Sequence, residues 1–269
     1  DAGTSDEPVI LLQPFDAGSG GATKVAVPST TMDSILTPAD LDVFEFQAQV
    51  GDVVHVAASR PNGNMGLEGT FSIQAPDAFR LDGVGFGSGG TTGIVGRAAI
   101  KAHVAGTWRI EVRGTKYIPG NYTLQLLRSG PSPYIATFNP APGASGLPTT
   151  TRPAPVMSGA VSGPVNSTMA TLDFITSPVP GTTVSADGGA TLTFTPGQLL
   201  SPGTQYRYTL KPPLLARPDD GGTPDGFRGT ARIPFRTAEV LGEPALCGID
   251  PIVTHRGLGY SLLETWPQE

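Results

Sequence analysis

The sequence predicts an all-β protein made of two tandem β-sandwich domains followed by a C-terminal extension. Short segments that alternate apolar and polar residues recur along the chain, which is the pattern of half-buried strands. The chain also has 36 glycines and 27 prolines, which favour turns between short strands. Its 269 residues are enough for two domains that each bury a core. We expect the domains to cover residues 1–130 and 131–238, and the extension to cover residues 239–269.

Composition restricts the classes of partner. The formal net charge is -6 and the sequence contains no run of basic residues, so we expect neither nucleic acid nor an anionic membrane surface as a partner. Apolar stretches such as residues 9–12 are far shorter than the roughly 20 residues of a spanning helix, which predicts no membrane span. The chain begins with Asp1 instead of Met, which fits an exported protein after signal-peptide removal or a piece of a longer protein. We expect an extracellular or cell-surface location.

Strand patterns are clearest in the first domain. In residues 43–48 the even-numbered side chains are apolar, residues 50–52 form a turn signal, and residues 53–58 return as a second apolar strand. These segments predict a hairpin with one buried face. Residues 107–113 alternate strictly, with apolar even-numbered and charged odd-numbered positions from Trp108 to Arg113.

A glycine-rich stretch, residues 83–96, predicts turns and flexible edges instead of a helix. Residues 85–90 have the glycine spacing of a dinucleotide-binding loop. That loop needs a helix directly after it, and no helical pattern follows here. We therefore expect no nucleotide cofactor.

Four runs in the first domain carry a family resemblance: DLDVFEF at 40–46, VGD at 50–52, AGTWRIEV at 105–112 and GNYTL at 120–124. In order and spacing they resemble a bacterial pre-peptidase C-terminal domain over residues 25–128. The resemblance implies a β-sandwich of jelly-roll type that is non-catalytic and usually appended to secreted proteases and other exported proteins. It also implies, for some members, substrate binding, help in secretion or calcium binding, but a complete calcium ligand set is missing from this chain.

The second domain follows a Pro-rich break at residues 129–133, where we expect few contacts between the domains. Strands are predicted at residues 135–138, 154–161, 170–174, 190–195, 205–210 and 231–236.

Motifs in this half resemble the Ig-like domain of bacterial surface-layer proteins over residues 133–238. They are FNPAPGA at 138–144, LTFTP at 192–196, LSPGTQY at 200–206 and IPFRT at 233–237. The chain departs from that pattern at residues 214–225, where a longer Pro-rich loop replaces a short turn. The resemblance implies a second, Ig-like sandwich.

Residues that could support catalysis are scattered. His55, His103 and His255 are far apart, and no nucleophile-elbow motif is present, so we expect neither a zinc site nor an enzyme. His55 is predicted to face solvent or to be half-buried on its strand.

Carboxylates cluster at two places, Asp40 with Asp42, and Asp219 and Asp220 with Asp225. Turn and strand-capping roles explain them. We therefore expect no cofactor, with calcium at these carboxylates as the alternative.

The extension contains the residues that we expect to bind a partner: Cys247, Tyr260, Leu262, Leu263 and Trp266. Their apolar content exceeds that of a solvated tail, and the alternative is that the segment packs back onto the second domain. Cys247 is the single cysteine of the chain, so no intrachain disulfide forms.

These patterns predict an exported, non-catalytic structural or interaction protein of the cell surface, such as a subunit of an extracellular layer, fibre or appendage. We expect a protein partner or self-assembly. The alternative is a substrate-targeting region of a larger secreted hydrolase that binds polysaccharide or fibrous protein. Targeting of polysaccharide would favour an exposed platform of aromatic residues, whereas aromatic residues make up 7% of this chain.

Overall fold

The structure is a computed structural model of the chain. Contacts divide the chain into two compact units, Asp1–Ala238 and Glu239–Glu269. Besides the strand Ile10–Leu12, the structure describes residues 21–37, 39–61, 66–87, 95–116, 118–162, 165–166, 168–174, 177–212, 214–216 and 225–239.

The described residues are nearly all β, which confirms the predicted fold class. They include one short 3-10 turn, Asp187–Gly189, and in this part of the chain no helix is long and apolar enough to cross a membrane. The strands, in chain order, are β1 Ile10–Leu12, β2 Thr23–Lys24, β3 Ser29–Ile35, β4 Leu41–Ala48, β5 Val53–Ser59, β6 Gly69–Gln74, β7 Arg80–Phe86, β8 Gly96–Lys101, β9 Gly106–Gly114, β10 Gly120–Leu127, β11 Ile135–Thr137, β12 Ala144–Leu147, β13 Val156–Met157, β14 Val161–Ser162, β15 Ala170–Phe174, β16 Ser177–Pro178, β17 Gly181–Ala186, β18 Thr191–Pro196, β19 Gln205–Leu210, β20 Leu215–Ala216, β21 Asp225–Gly226 and β22 Thr230–Thr237.

The first sandwich packs two sheets face to face. One has the strand order β1-β3-β10-β5-β8, and the other includes β7-β6-β9-β4-β2. The predicted alternation of β9 is confirmed, since Trp108, Ile110 and Val112 are buried in the core while Arg109 and Arg113 are exposed. Strand β7 continues to Phe86, so the prediction of turns throughout residues 83–96 is wrong at its start.

The predicted hairpin between β4 and β5 is wrong, because the two strands lie in opposite sheets. Strand β4 pairs with β9, and β5 pairs with β10 and β8. The intervening turn is a corner of the sandwich: Asp52 accepts a bond from Gln49 N at 2.8 Å, and Gly51 has a φ of +95°, which favours glycine. Alternation alone cannot distinguish a hairpin from such a corner.

The second sandwich packs β11-β13-β18-β17 against β16-β15-β19-β22. Its core is built from the inward residues of β15, β18, β19 and β22, among them Leu172, Leu192, Phe194, Tyr208 and Ile233. Strands β15 and β19 have the predicted bounds, and the predicted strand at residues 154–161 is two short strands, β13 and β14.

One strand joins the two sandwiches. Strand β22 pairs with β19 along one edge. Along its other edge, Thr230–Arg232 pair with β7 of the first sandwich, and Phe235 and Thr237 pair with β12. The result is a single ten-stranded sheet that runs through both sandwiches. The expectation of few contacts between the domains is therefore wrong.

Aromatic side chains fill the junction beneath that strand. The Phe138 ring lies 5.1 Å from the Phe79 ring and 4.4 Å from the His103 ring, and Trp108 lies 5.6 Å from His103. His103 Nε2 is 2.6 Å from Asp77 Oδ2, which holds the imidazole in place. These contacts make one continuous core of the two sandwiches.

The segment between the domains also packs on the first sandwich. Tyr134 lies edge-on to the His55 ring at 6.4 Å, and a Cβ on Gly130 would approach His55 Nδ1 to 2.9 Å, so glycine fits this close approach. His55 is buried as a consequence, which corrects the expectation of a solvent-facing or half-buried residue.

We predict that Phe79→Ala destabilises both sandwiches together. Phe79 is buried and touches rings from both halves, so its loss leaves a cavity in the shared core and should cost about 3–5 kcal/mol of unfolding free energy. Chemical denaturation followed by tryptophan and tyrosine fluorescence measures the change. We expect a single transition in the parent and the variant.

Leu199→Ala is the matched control, because Leu199 is 71% exposed and its truncation should change stability by less than about 0.5 kcal/mol. Two separate transitions in the parent protein, with only one of them shifted by Phe79→Ala, would contradict the shared core.

Candidate functional site

Most residues that the sequence marks as functional fall outside the described part of the chain. This holds for the candidate partner-binding residues Cys247, Tyr260, Leu262, Leu263 and Trp266. It also holds for His255, Asp219 and Asp220, and for the side chain of Asp225. The role of the extension and calcium binding by the 214–225 loop therefore stay predictions.

Asp42 and Tyr122 form a buried polar contact between the two sheets of the first sandwich. Tyr122 on β10 donates a hydrogen bond from its hydroxyl to Asp42 Oδ2 on β4 at 2.7 Å, and both residues are buried. Burial raises the pKa of Asp42 to about 7; the negative charges of Asp33 and Asp40 add to the rise, and the bond from Tyr122 opposes it. Burial, followed by the charge of Asp42, also raises the pKa of Tyr122.

Asp40 stabilises the loop that leads from β3 into β4. Its Oδ2 accepts a bond from Leu36 N at 2.8 Å, and its Oδ1 is buried without a hydrogen-bond partner. Across the described ranges, no group of three or more His, Cys, Asp or Glu residues could hold a metal ion. Asp40 therefore closes a loop, and the Asp42–Tyr122 hydrogen bond acts as a clamp between the two sheets.

We predict that the burial of Asp42 makes the free energy of unfolding fall as pH rises from about 4 to about 7. The folded-state pKa of Asp42 is about 7, whereas the usual pKa of an aspartate is 3.8, so the folded protein binds more protons than the unfolded chain in this window. The stabilisation is fully present below the unfolded pKa and is lost as pH rises through the folded pKa.

Asp42→Asn should remove this dependence, because an amide keeps an acceptor for Tyr122 and carries no charge. We expect its melting temperature, measured from pH 4 to pH 8, to lack the decline of several degrees contributed by Asp42 in the parent protein. Asp52→Asn, at the exposed corner, serves as the control. A parent profile that rises over this pH range, with an unaltered slope in Asp42→Asn, would contradict the prediction.

A row of polar side chains crosses the outer face of the shared sheet. Cross-strand partners are in direct register from β15 to β4, so the row passes from the second sandwich to the first without a break. Strand spacing makes it about 30 Å long. Its members are Thr171, Thr209, Arg232, Arg80, Gln74, Arg109 and Glu45.

At the junction, this register places two arginines side by side. Arg80 and Arg232 are cross-strand partners, and Asp82 pairs with both: its Oδ1 lies 2.8 Å from Arg80 Nε, and its Oδ2 contacts Arg232. Glu111 lies 3.3 Å from Arg80 and also pairs with Arg113. Two carboxylates thus balance arginines contributed by both sandwiches.

Next to this network lies a groove of about 410 Å³ that both arginines line. Its lining offers the guanidinium groups of three arginines, the Asp173 carboxyl group and the Tyr206 hydroxyl group. Guanidinium donors suit the recognition of a polar or anionic group. The lining residues are Ala78, Arg80, Asp173, Gln205, Tyr206, Arg207, Arg232 and Pro234.

The sequence offers no signal for this network. Arg80, Asp82 and Arg232 occupy ordinary polar positions of strands, and about 150 residues separate the two arginines. Only the pairing of β7 with β22 brings them together.

We predict that Asp82→Asn destabilises the junction by about 1 kcal/mol at low salt. The neighbouring arginines then lose the carboxylate that both contact, and their charges repel each other across the strands. Unfolding measured at about 0.05 M and about 1 M salt should show a smaller deficit at high salt, because salt screens that repulsion.

Glu45→Gln is the control, since its 3.5 Å pair with the largely exposed Arg109 should contribute less than about 0.5 kcal/mol. A deficit no larger than that of Glu45→Gln, or one that grows with salt, would mean that Asp82 does not balance the two arginines.

Comparison with known proteins identifies part of the chain. Residues 131–216 match the family model of the bacterial Ig-like domain. The match falls within the second sandwich, where the Ig-like resemblance was expected. No curated protein matches the chain.

Two solved structures are similar to parts of the chain. The pre-peptidase C-terminal domain of collagenase from Bacillus anthracis is 15% identical, with 42% of this chain and 97% of that chain covered and a TM-score of 0.30. The lipase BlEst2 of Bacillus licheniformis in its propeptide form is 14% identical, with 82% of this chain and 43% of that chain covered and a TM-score of 0.27.

Proposed function

We propose that the protein is a non-catalytic interaction protein of the bacterial cell surface that serves as a subunit of an extracellular layer, fibre or appendage. The observation that carries the proposal is the strand β22, which is hydrogen-bonded to both sandwiches. A sheet that continues from one domain into the next fixes their relative orientation, as a building block of an ordered assembly requires.

The bacterial Ig-like domain over residues 131–216 supports the same proposal. Domains of this class commonly mediate protein contacts in extracellular proteins, and the expected cell-surface location agrees with that. The groove beside Arg80 and Arg232 offers guanidinium donors from both sandwiches to a partner.

The alternative, a substrate-targeting region of a larger secreted hydrolase, gains less support. Binding to polysaccharide would favour several exposed rings on one face. Among the aromatic residues that the structure describes, Phe174 alone is more than a third exposed, and its ring lies beside Tyr206 at 5.9 Å. One ring is too small for a stacking platform.

We also propose that residues 239–269 bind the partner, through Cys247, Tyr260, Leu262, Leu263 and Trp266. This part of the proposal rests on the apolar sequence of the segment.

Ala238 should be kept in any truncation, because its N–H donates to Leu147 O and its carbonyl accepts from Gly203 N.

The proposal predicts that the full chain assembles and that truncation after Glu239 reduces its assembly. Light scattering coupled to size-exclusion chromatography, with negative-stain electron microscopy of concentrated samples, measures this. The double variant Leu262→Ser with Leu263→Ser should reproduce the loss, whereas Thr254→Ser should behave as the parent. Unchanged monomers for the full and the truncated chain would reject the assembly role.

A further inference from the structure

Strand β17 forms an edge of the second sandwich that lacks the usual protection against pairing with another strand. Natural edge strands are shortened, bulged, or carry charged residues or proline within them. Strand β17 has the sequence GTTVSA, pairs with β18 over all six residues without a register shift, and carries none of these features.

The other sheet edges of the described residues differ from β17. Strand β8 is also six residues long but carries Arg97 and Lys101. The remaining edge strands have four residues or fewer, and β16 contains Pro178. Strand β17 is thus the one long, uncharged edge in the part of the chain that the structure describes.

The free side of β17 presents unsatisfied backbone groups. In an antiparallel pair, alternate residues direct their N–H and C=O away from the partner strand, so about three of the six residues of β17 point theirs outward. Among the described residues, no strand pairs with that side, and no backbone bond outside the ladder involves residues 182–186.

The edge is exposed on both faces. The inward positions of β17 include Gly181 and Ser185, and both residues are exposed. Gly181 lines an uncharged groove of about 650 Å³, whose walls also include Ala170, Val179 and Phe194. Neither β17 nor the lining of this groove carries a charged side chain that would repel an incoming strand.

We infer that β17 pairs with β17 of a second copy of this chain, as an antiparallel strand pair about a twofold axis. This inference deepens the proposed function and rests on it, since it names one contact of the assembly. An antiparallel strand that pairs with its own copy places its residues opposite one another, and like charges there would repel. Because β17 carries no charge, self-pairing brings only Gly, Thr, Val, Ser and Ala together, and Thr and Val favour strands.

The outer face of this edge is equally neutral. Its residues on β17 are Thr182, Val184 and Ala186, and they lie opposite Thr195, Thr193 and Thr191 of β18. Val184 is 56% exposed. A twofold pairing would continue this flat neutral face into the second copy.

Sedimentation equilibrium of the full chain tests the inference. The parent should show a monomer–dimer equilibrium, and Val184→Lys should raise the dimer Kd at least about tenfold, because like charges then meet near the twofold axis. Val184→Thr keeps a neutral β-branched side chain and should change the Kd less than about twofold. An equimolar mixture of Val184→Lys and Val184→Glu should recover dimers that neither variant forms alone.

Thermal melting monitors folding in each variant, and Thr182→Lys supplies a second charged variant on the same face if Val184→Lys is unstable. A parent that stays monomeric up to about 1 mM, or lysine variants that dimerise as tightly as the parent, would overturn the inference.

The truncation after Glu239 separates this inference from the proposed function. Assembly that depends on residues 239–269 but not on β17 would leave the proposed function standing and remove the β17 contact. Dimers that are lost in Val184→Lys but never grow into a layer or fibre would support the contact and reject the structural role.

Discussion

Strand β22 is hydrogen-bonded on both sides, and the rest of the molecule depends on that arrangement. A strand at the end of a sandwich normally exposes one edge to solvent or to other chains. Here that edge is occupied by β7 at one end and β12 at the other, so the sheets of the two sandwiches merge. The apolar packing of Phe79 against Phe138 lies at this same junction, where backbone pairing and hydrophobic burial reinforce each other.

The merged sheet also decides which charges meet. Strand pairing places Arg80 beside Arg232, an arrangement that costs free energy in isolation. Asp82 and Glu111 offset that cost, so the junction is held by a charge network on its surface and by aromatic rings beneath it. A partner that binds in the adjacent groove would contact both sandwiches through side chains whose positions are already fixed.

The molecule joins its sheets in two ways, by a side-chain hydrogen bond between opposite sheets and by backbone pairing of strand edges. Inside the first sandwich, the Asp42–Tyr122 bond links opposite sheets, and burial makes the carboxyl hard to ionise. Between the sandwiches, backbone pairing of strand edges joins the sheets without a buried charge. Strand β17 is an edge with no strand of the described chain on its free side, and it is the edge that we propose pairs with a second copy.

The sequence by itself determined the all-β class, the inward face of β9 and the bounds of β15 and β19, because alternation and turn residues are local signals. Only the tertiary structure decided that β4 and β5 lie in opposite sheets, that His55 is buried under the interdomain segment, and that Arg80 meets Arg232. Each of these depends on which strands become neighbours, and a strand's own sequence states which face is apolar but not which edge it pairs with.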